Sequence, residues 1–268
     1  MSIYSHIKSK GWIIMLDLER QDQILSILSK HGSSTVGELA KNLYCSEATI
    51  RRDLITMDHL GLIRRTHGGA MISRNTAQES AFAMREISML PQKKIICGLA
   101  TDLIKDHSTL ILDSSSTVLA LVPMLQRFQH LTVITHGIRT ALMLSGLDNV
   151  DVYVAGGRIQ NFSNTILGGM TLDYYDNLNA DLALLSCSGI NAKGEITDDS
   201  LETAQLKRLI VKHSKQVALL CDNSKFNQTM MNTAFHLTDV DYLVTEIKPS
   251  PAYLDMVSKT ECKMIFPK

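Results

Sequence analysis

Near the N-terminus the chain carries two short stretches in which apolar residues recur at helical spacing. Val36, Leu39, Ala40 and Leu43 fall at i, i+3, i+4 and i+7, which makes one stripe of an amphipathic helix. Thr35 and Glu38 have the T-x-x-E spacing of a capping box, which satisfies two amides that a helix start leaves open. Tyr44 and Cys45 then read as a tight turn, and Ser46 as the N-cap of a second helix. Ile50, Leu54, Met57 and Leu60 form the inward face of that helix, and Gly61 supplies the left-handed residue that ends it. An upstream helix from about Leu18 to His31, stopped by Gly32, adds Leu18, Ile24, Leu25 and Leu28 as a third wall.

The pattern changes after residue 91. Short apolar runs at Thr109–Leu112, Leu131–Thr135, Val150–Ala155, Leu182–Cys187, Val217–Cys221, Tyr242–Thr245 and Lys263–Phe266 read as strands. Helical patterns fall between them, notably Thr117–Phe128, Ile138–Leu144, Leu201–His213 and Pro251–Ser258, and Pro123 is expected to bend or shorten the first. Such alternation predicts an α/β domain with a mostly parallel sheet covered by helices. The expected order is an N-terminal extension over 1–16, a small helical domain over 17–72, a linker over 73–91 and the larger domain over 92–268. The recognisable pattern starts directly behind Met15, which makes that residue a candidate start.

The polar face of the second helix carries the first candidate chemistry. Thr49, Arg52 and Thr56 lie opposite the apolar stripe, with Ser46, Ala48 and Arg51 near them at the N-terminal end. Arg64, Arg65 and His67 follow in a hairpin turned at Gly68-Gly69. A tight turn between two helices followed by a basic hairpin is the layout of a winged helix-turn-helix, whose second helix enters the major groove of DNA. Guanidinium groups bond guanine edges bidentately or neutralise phosphates, and small residues let the helix seat closely. Isolated arginine pairs usually mark nothing more than a solvated face; here the surrounding pattern decides for double-stranded DNA.

The 27 basic and 27 acidic residues cancel, which excludes a chromatin-coating role but not a basic face. From Arg51 to Arg65 four arginines oppose only Asp53 and Asp58, acids expected to point toward the protein. Five scattered cysteines without C-x-x-C, and nine histidines without metal-ligand spacing, predict neither a disulfide frame nor a metal site, and no cofactor is expected. The longest apolar runs are too short to span a bilayer or to drive export, so a cytoplasmic protein without membrane contact is expected.

The run ATIRRDL, then HLG, then IRRTHGGA resembles the N-terminal domain of DeoR-type bacterial transcriptional regulators. Further along, LDSSST, VITHGI, VAGGRI, LLSCSGIN, ETAQLKRLIVKHS and LLCDNSKF resemble the C-terminal domain of the same family. The resemblance covers roughly Leu18 to Phe266. It implies a sensor domain related to sugar-phosphate isomerases that binds a phosphorylated sugar, with the Asp113–Thr117 loop holding the phosphate. Lys207, Asp222 and Lys225 match motif positions lining that cleft. Two residues depart from the family pattern: Ser115 stands where glycine is common, and His136 where asparagine is common.

The residues themselves point the same way. In parallel α/β sheets ligands sit outside the carboxyl ends of the strands. There the chain places Asp113, Ser114, Ser115, Ser116 and Thr117, whose hydroxyls and amides at a helix start suit a phosphate. Alone, this stretch reads as an ordinary serine-rich connection. Thr135-His136-Gly137, Gly156-Gly157-Arg158, Ser188-Gly189 and Asp222-Asn223-Ser224-Lys225 are similar small, polar strand ends. Lys207 and Arg158 would offset phosphate charge, and Asp222 would accept sugar hydroxyls; the competing reading of Lys207 is a surface residue on an amphipathic helix.

The expected function is a transcriptional repressor of a carbohydrate-metabolism operon, acting as a homo-oligomer (dimer or tetramer) and released from its operator by a phosphorylated sugar. The alternative is an isomerase-like enzyme with an appended DNA module, with Asp113, Glu202 or Asp222 as its base.

Overall fold

The computed structural model describes residues 20–21, 23–25, 27–28, 31–59, 63–71, 82, 85–86, 88–160 and 163–267. The chain divides into two compact units, Met1–Ser88 and Met89–Lys268.

In the first unit, strand β1 (Ser33–Thr35) leads into helix α1 (Val36–Asn42) through the expected capping box. The Glu38 amide donates to Thr35 Oγ1 at 3.2 Å and the Thr35 amide to Glu38 Oε2 at 2.8 Å. Tyr44, at φ 51°, makes the turn, and Ser46 Oγ accepts the Thr49 amide at 3.1 Å to start α2 (Glu47–His59). A hairpin follows, β2 (Arg64–Thr66) and β3 (Gly69–Met71), with β1 added antiparallel on its far side in the order β1-β3-β2. Gly69 permits that third strand: a Cβ there would lie 2.1 Å from the Ser34 carbonyl oxygen. The core joins Ile24, Leu25 and Leu28 of the upstream helix to Val36, Leu39, Ile50, Leu54 and Met57. Leu18, Leu60 and Gly61, expected to contribute to this core or to end α2, lie outside the described residues.

The second unit begins with α3 (Leu90–Ala100), and Pro91 sits in its first turn, where its missing N–H costs nothing. A seven-stranded sheet follows, built from β4 (Thr109–Leu112), β5 (Leu131–Thr135), β6 (Val150–Val154), β9 (Leu182–Leu185), β12 (Val217–Leu220), β14 (Tyr242–Val244) and β15 (Lys263–Ile265). Every pairing is parallel, in the order β15-β14-β12-β9-β4-β5-β6. From β4 the chain builds outward to β5 and β6, then returns to β9 on the other side of β4. The switch point therefore falls between β4 and β9, where open α/β sheets form their crevice.

The single helix expected over Thr117–Phe128 is instead two pieces, α4 (Ser116–Leu119) and a 3-10 turn (Val122–Arg127). Pro123, in the first turn of the second piece, has no N–H to continue the α-helix. Helices α5 (Ile138–Leu144), α7 (Leu201–Lys212) and α8 (Pro251–Ser258) agree with the apolar pattern. Between β6 and β9 the pattern missed a hairpin, β7 (Arg158–Gln160) and β8 (Thr165–Leu167), and helix α6 (Gly169–Asp176). It also missed a small antiparallel sheet of β10 (Gly189–Ile190), β11 (Glu195–Asp198) and β13 (Asn232–His236).

Candidate functional sites: a basic helix and wing, and a polar strand-end cluster

The outward face of α2 carries Ala48, Arg51, Arg52, Ile55 and Thr56, all exposed. Ser46 is exposed as well, while its Oγ caps the helix and meets Thr49 Oγ1 at 2.9 Å. Arg51 forms an exposed ion pair with Glu47 at 2.8 Å; such pairs contribute little and exchange readily. Arg64 and Arg65 of β2 are exposed, as are His67 and Gly68 in the turn behind them. The two acids of the segment behave differently. Asp53 is buried and clamped by Arg20, whose Nη2 donates to Asp53 Oδ1 at 3.1 Å, so its charge is answered from within. Asp58 is exposed, and its carboxylate accepts the Arg65 amide at 3.1 Å, fastening the hairpin to α2. The result is one helix face and one hairpin presenting arginine together.

The sensor unit gathers its polar residues at the carboxyl ends of β4, β5 and β9. Asp113 is buried, and its carboxylate accepts the Ser115 amide at 2.8 Å and the Ser186 amide at 2.7 Å. The Ser115 hydroxyl accepts the Val118 amide at 3.2 Å and so caps α4. Ser114 Oγ accepts a hydrogen bond from Thr165 of β8 at 2.8 Å, and Thr135 Oγ1 accepts the Gly137 amide at 3.1 Å. Gly137 packs directly on the loop: a Cβ there would sit 2.9 Å from Ser114 Cα. Ser116 and Thr117 are buried at the start of α4.

Lys207 is no surface residue: it is 4 % exposed. Its ammonium bonds the Ser186 carbonyl at 2.5 Å and Asp198 at 2.8 Å, with Asp113 at 3.8 Å. Burial pulls its pKa down, but Asp198 and Asp113 outweigh burial and the net shift is upward, so it stays charged. His136 is fully buried, with Nδ1 3.2 Å from the Tyr175 hydroxyl. Burial, reinforced by the Lys207 charge, pushes its pKa down to about 3, so the ring is neutral.

The other expected site residues are held by local contacts of their own. Gly157, at φ 150°, has no room for a side chain, because a Cβ would come 2.3 Å from Thr171 Oγ1. The exposed Arg158 pairs with Glu202 at 2.7 Å. Gly189 lies against the Gln228 backbone, which a Cβ would approach to 2.6 Å. Asp222 and Lys225 follow β12, two positions from β4 in the sheet; Asp222 accepts the Ser224 amide at 3.0 Å and its hydroxyl as well. Of the carboxylates considered as bases, Asp113 is held by two amides, Asp222 holds its own turn, and Glu202 is paired with Arg158.

Sequence reasoning missed Lys93, Thr165 and Asp198. Lys93 of α3 is 4 % exposed and donates to Ser116 Oγ at 3.1 Å, and the nearby Cys97 Sγ donates to the Thr117 carbonyl at 3.3 Å. A signal was present: Lys93 lies three and four residues before the buried Ile96 and Cys97, a charge set within an apolar stripe.

Residues 20–76 match the family model described as the DeoR-like helix-turn-helix domain, and residues 89–247 that described as the DeoR C terminal sensor domain. The HTH-type transcriptional regulator GolR of Listeria innocua is 34% identical over 238 residues, covering 89% of this chain and 94% of that protein. A glycerol-3-phosphate regulon repressor of Haemophilus influenzae is 31% identical over 226 residues, covering 84% and 88%. Ribose 5-phosphate isomerase A of Methanocaldococcus jannaschii overlaps 52% of this chain and 55% of its own at a TM-score of 0.38 and 14% identity, too loosely to add to the assignment. Both relatives, alike over most of the chain, are named as regulators, which sets the isomerase alternative aside. The chain belongs to the DeoR family of helix-turn-helix transcriptional regulators.

Proposed function

We propose that the protein represses a carbohydrate-metabolism operon in the cytoplasm and leaves its operator when a phosphorylated sugar enters the cleft at the carboxyl ends of β4, β5 and β9. The observation that carries this reading is the Ser114–Thr117 loop at the switch point of the sheet, with the charged Lys207 buried beside Asp113. Backbone amides and hydroxyls at a helix start suit phosphate oxygens, and an ammonium already charged offsets the dianion. The Haemophilus relative is named for the regulon of a phosphorylated polyol, chemistry close to that of a sugar phosphate.

On the DNA side, α2 lies in the major groove with Ser46, Ala48, Thr49, Arg51 and Arg52 toward the bases. Arg64, Arg65, His67 and Gly68 of the hairpin follow the backbone. One helix reads too few base pairs alone, so the working form is a dimer or larger homo-oligomer on paired half-sites. Gly157, Arg158, Gly189, Asp222 and Lys225, at neighbouring strand ends, are assigned to the sugar end of the ligand.

Fluorescence anisotropy on DNA from upstream of the protein's own and neighbouring genes tests both halves. It is run at fixed salt against scrambled DNA, and then with a panel of sugar phosphates. The expected result is preferential binding abolished by one of them in the wild type and retained in Ser116→Asp, whose carboxylate repels the phosphate. Normal release in that variant moves the phosphate site elsewhere. Binding indifferent to every sugar phosphate removes the ligand class.

A further inference from the structure

His136 follows β5 directly, and its environment determines which ring nitrogen carries the proton. Nδ1 faces the Tyr175 hydroxyl at 3.2 Å, the two rings meeting edge to face at 5.7 Å. Among the described residues, His136 Nε2 is the one buried side-chain nitrogen or oxygen without a hydrogen-bond partner. Tyr175 is fully buried too, and among the described residues its hydroxyl bonds nothing but Nδ1.

Two tautomers compete. With the proton on Nδ1, donating to the phenol oxygen, both the phenol hydrogen and the Nε2 lone pair would go unmatched. With the phenol donating to Nδ1, an Nε2–H and the phenol oxygen's lone pairs are left over. Each arrangement leaves one donor and one acceptor over, but the second joins the stronger donor, the phenol O–H, to the stronger acceptor, the imidazole nitrogen. His136 is therefore a neutral ring carrying its N–H on Nε2, an orphan donor in the interior.

That donor belongs to the effector end of the sheet. The next residue, Gly137, presses on Ser114, and Thr165, bridged to Gly137, donates to Ser114 Oγ at 2.8 Å. The charge on Lys207 adds to burial in disfavouring a second proton on the ring. We propose that His136 Nε2–H is a specificity donor of the effector cleft and that it takes an uncharged oxygen of the ligand, a hydroxyl or carbonyl of its carbon chain. This rests on the phosphorylated-sugar reading above and adds the ligand's second point of recognition. The phosphate is already served by the loop and by Lys207, whereas a ring locked in its neutral form contributes a hydrogen bond without charge. A buried donor left without an acceptor rejects ligands lacking an oxygen at that place.

The test is titration calorimetry on the full-length protein with inorganic phosphate, glycerol 3-phosphate, ribose 5-phosphate and glucose 6-phosphate, for the wild type and His136→Phe. The expected result is a loss of about tenfold or more for the organic phosphate bound best, with inorganic phosphate changed by less than about twofold. Equal losses for both ligands, or no loss for either, overturn the proposal and leave the phosphorylated-sugar reading intact. A wild type that binds none of the four probes overturns that reading and this inference with it. A second measurement needs no variant. In the ligand-free protein labelled with 15N-histidine, the nitrogen shifts must report a protonated Nε2 and an accepting Nδ1; the opposite tautomer overturns the proposal.

Discussion

The two units of this chain use charged residues in opposite ways. In the DNA-binding unit Arg51, Arg52, Arg64 and Arg65 stand exposed, and the buried acid Asp53 is satisfied internally by Arg20. In the sensor unit Lys207, Asp113, Asp198 and Lys93 are buried and bonded to one another or to the Ser114–Thr117 loop. An outward basic face meets its partner without breaking anything inside. On the proposed reading, a ligand entering the inward polar cluster must exchange bonds made by Lys207, Asp113 and the loop, besides engaging the orphan His136 Nε2. Binding of the proposed ligand there would favour a different internal arrangement, and a ligand shifts a conformational equilibrium only through such differential contacts.

The strongest way to break this comparison is Lys207→Met. It leaves Asp198 and Asp113 buried without their cation, and removing one partner of such a cluster costs about 3–5 kcal/mol. Urea unfolding is expected to show the sensor transition falling while the DNA-binding unit is unaffected. A loss well under 1 kcal/mol by the same scale would mean that Lys207 is solvated after all.

On the outward side, Arg52→Ala is expected to weaken operator binding by about 1–3 kcal/mol and to relax preference at one base pair. Uniform weakening on every sequence would reassign Arg52 to a phosphate.

His136 supplies a pH test of the inward side. Its folded pKa of about 3 lies below the ordinary 6.5, so the unfolded chain takes up the proton first as pH falls. The contribution is complete above the unfolded value and is lost as pH drops through the window toward 3. From pH 7 to pH 5 the sensor unit is expected to lose about 2 kcal/mol from this group, a loss absent in His136→Asn. Parallel pH profiles of the urea midpoint for the two proteins would contradict the assignment.

The smallest expected effect is at α1, where Thr35→Ala removes the capping box and costs the DNA-binding unit about 1 kcal/mol. An unchanged unfolding midpoint for that unit would show that β1 alone holds the helix start.

Legibility in the sequence followed the same divide. The helix-turn-helix was readable because caps, apolar spacing and turn chemistry are local signals, and its binding face is whatever the core does not use. The parallel strands were readable as short apolar runs because most are buried on both faces, β4 and β12 among them. The hairpin β7–β8 and strand β11 were not, since Arg158–Gln160 and Glu195–Asp198 are polar and too short for any alternation to register. Helix α6, with the sequence GMTLDYYD, carries no apolar stripe at helical spacing. The loop residues Asp113 to Thr117 were visible as a composition, but the burial of Lys207 was not. Its partner Asp113 lies far away in sequence, and only the crossover from β4 to β9 brings the two together.

The most direct test of the central claim is the reciprocal one, calorimetric affinity of the releasing sugar phosphate for free protein and for protein saturated with operator. The account predicts weaker binding to the operator complex by the same factor with which the ligand weakens DNA binding; a tenfold effect corresponds to about 1.4 kcal/mol of coupling. Equal affinity for the two forms would contradict it, because a ligand that binds both states alike cannot move the protein off its operator.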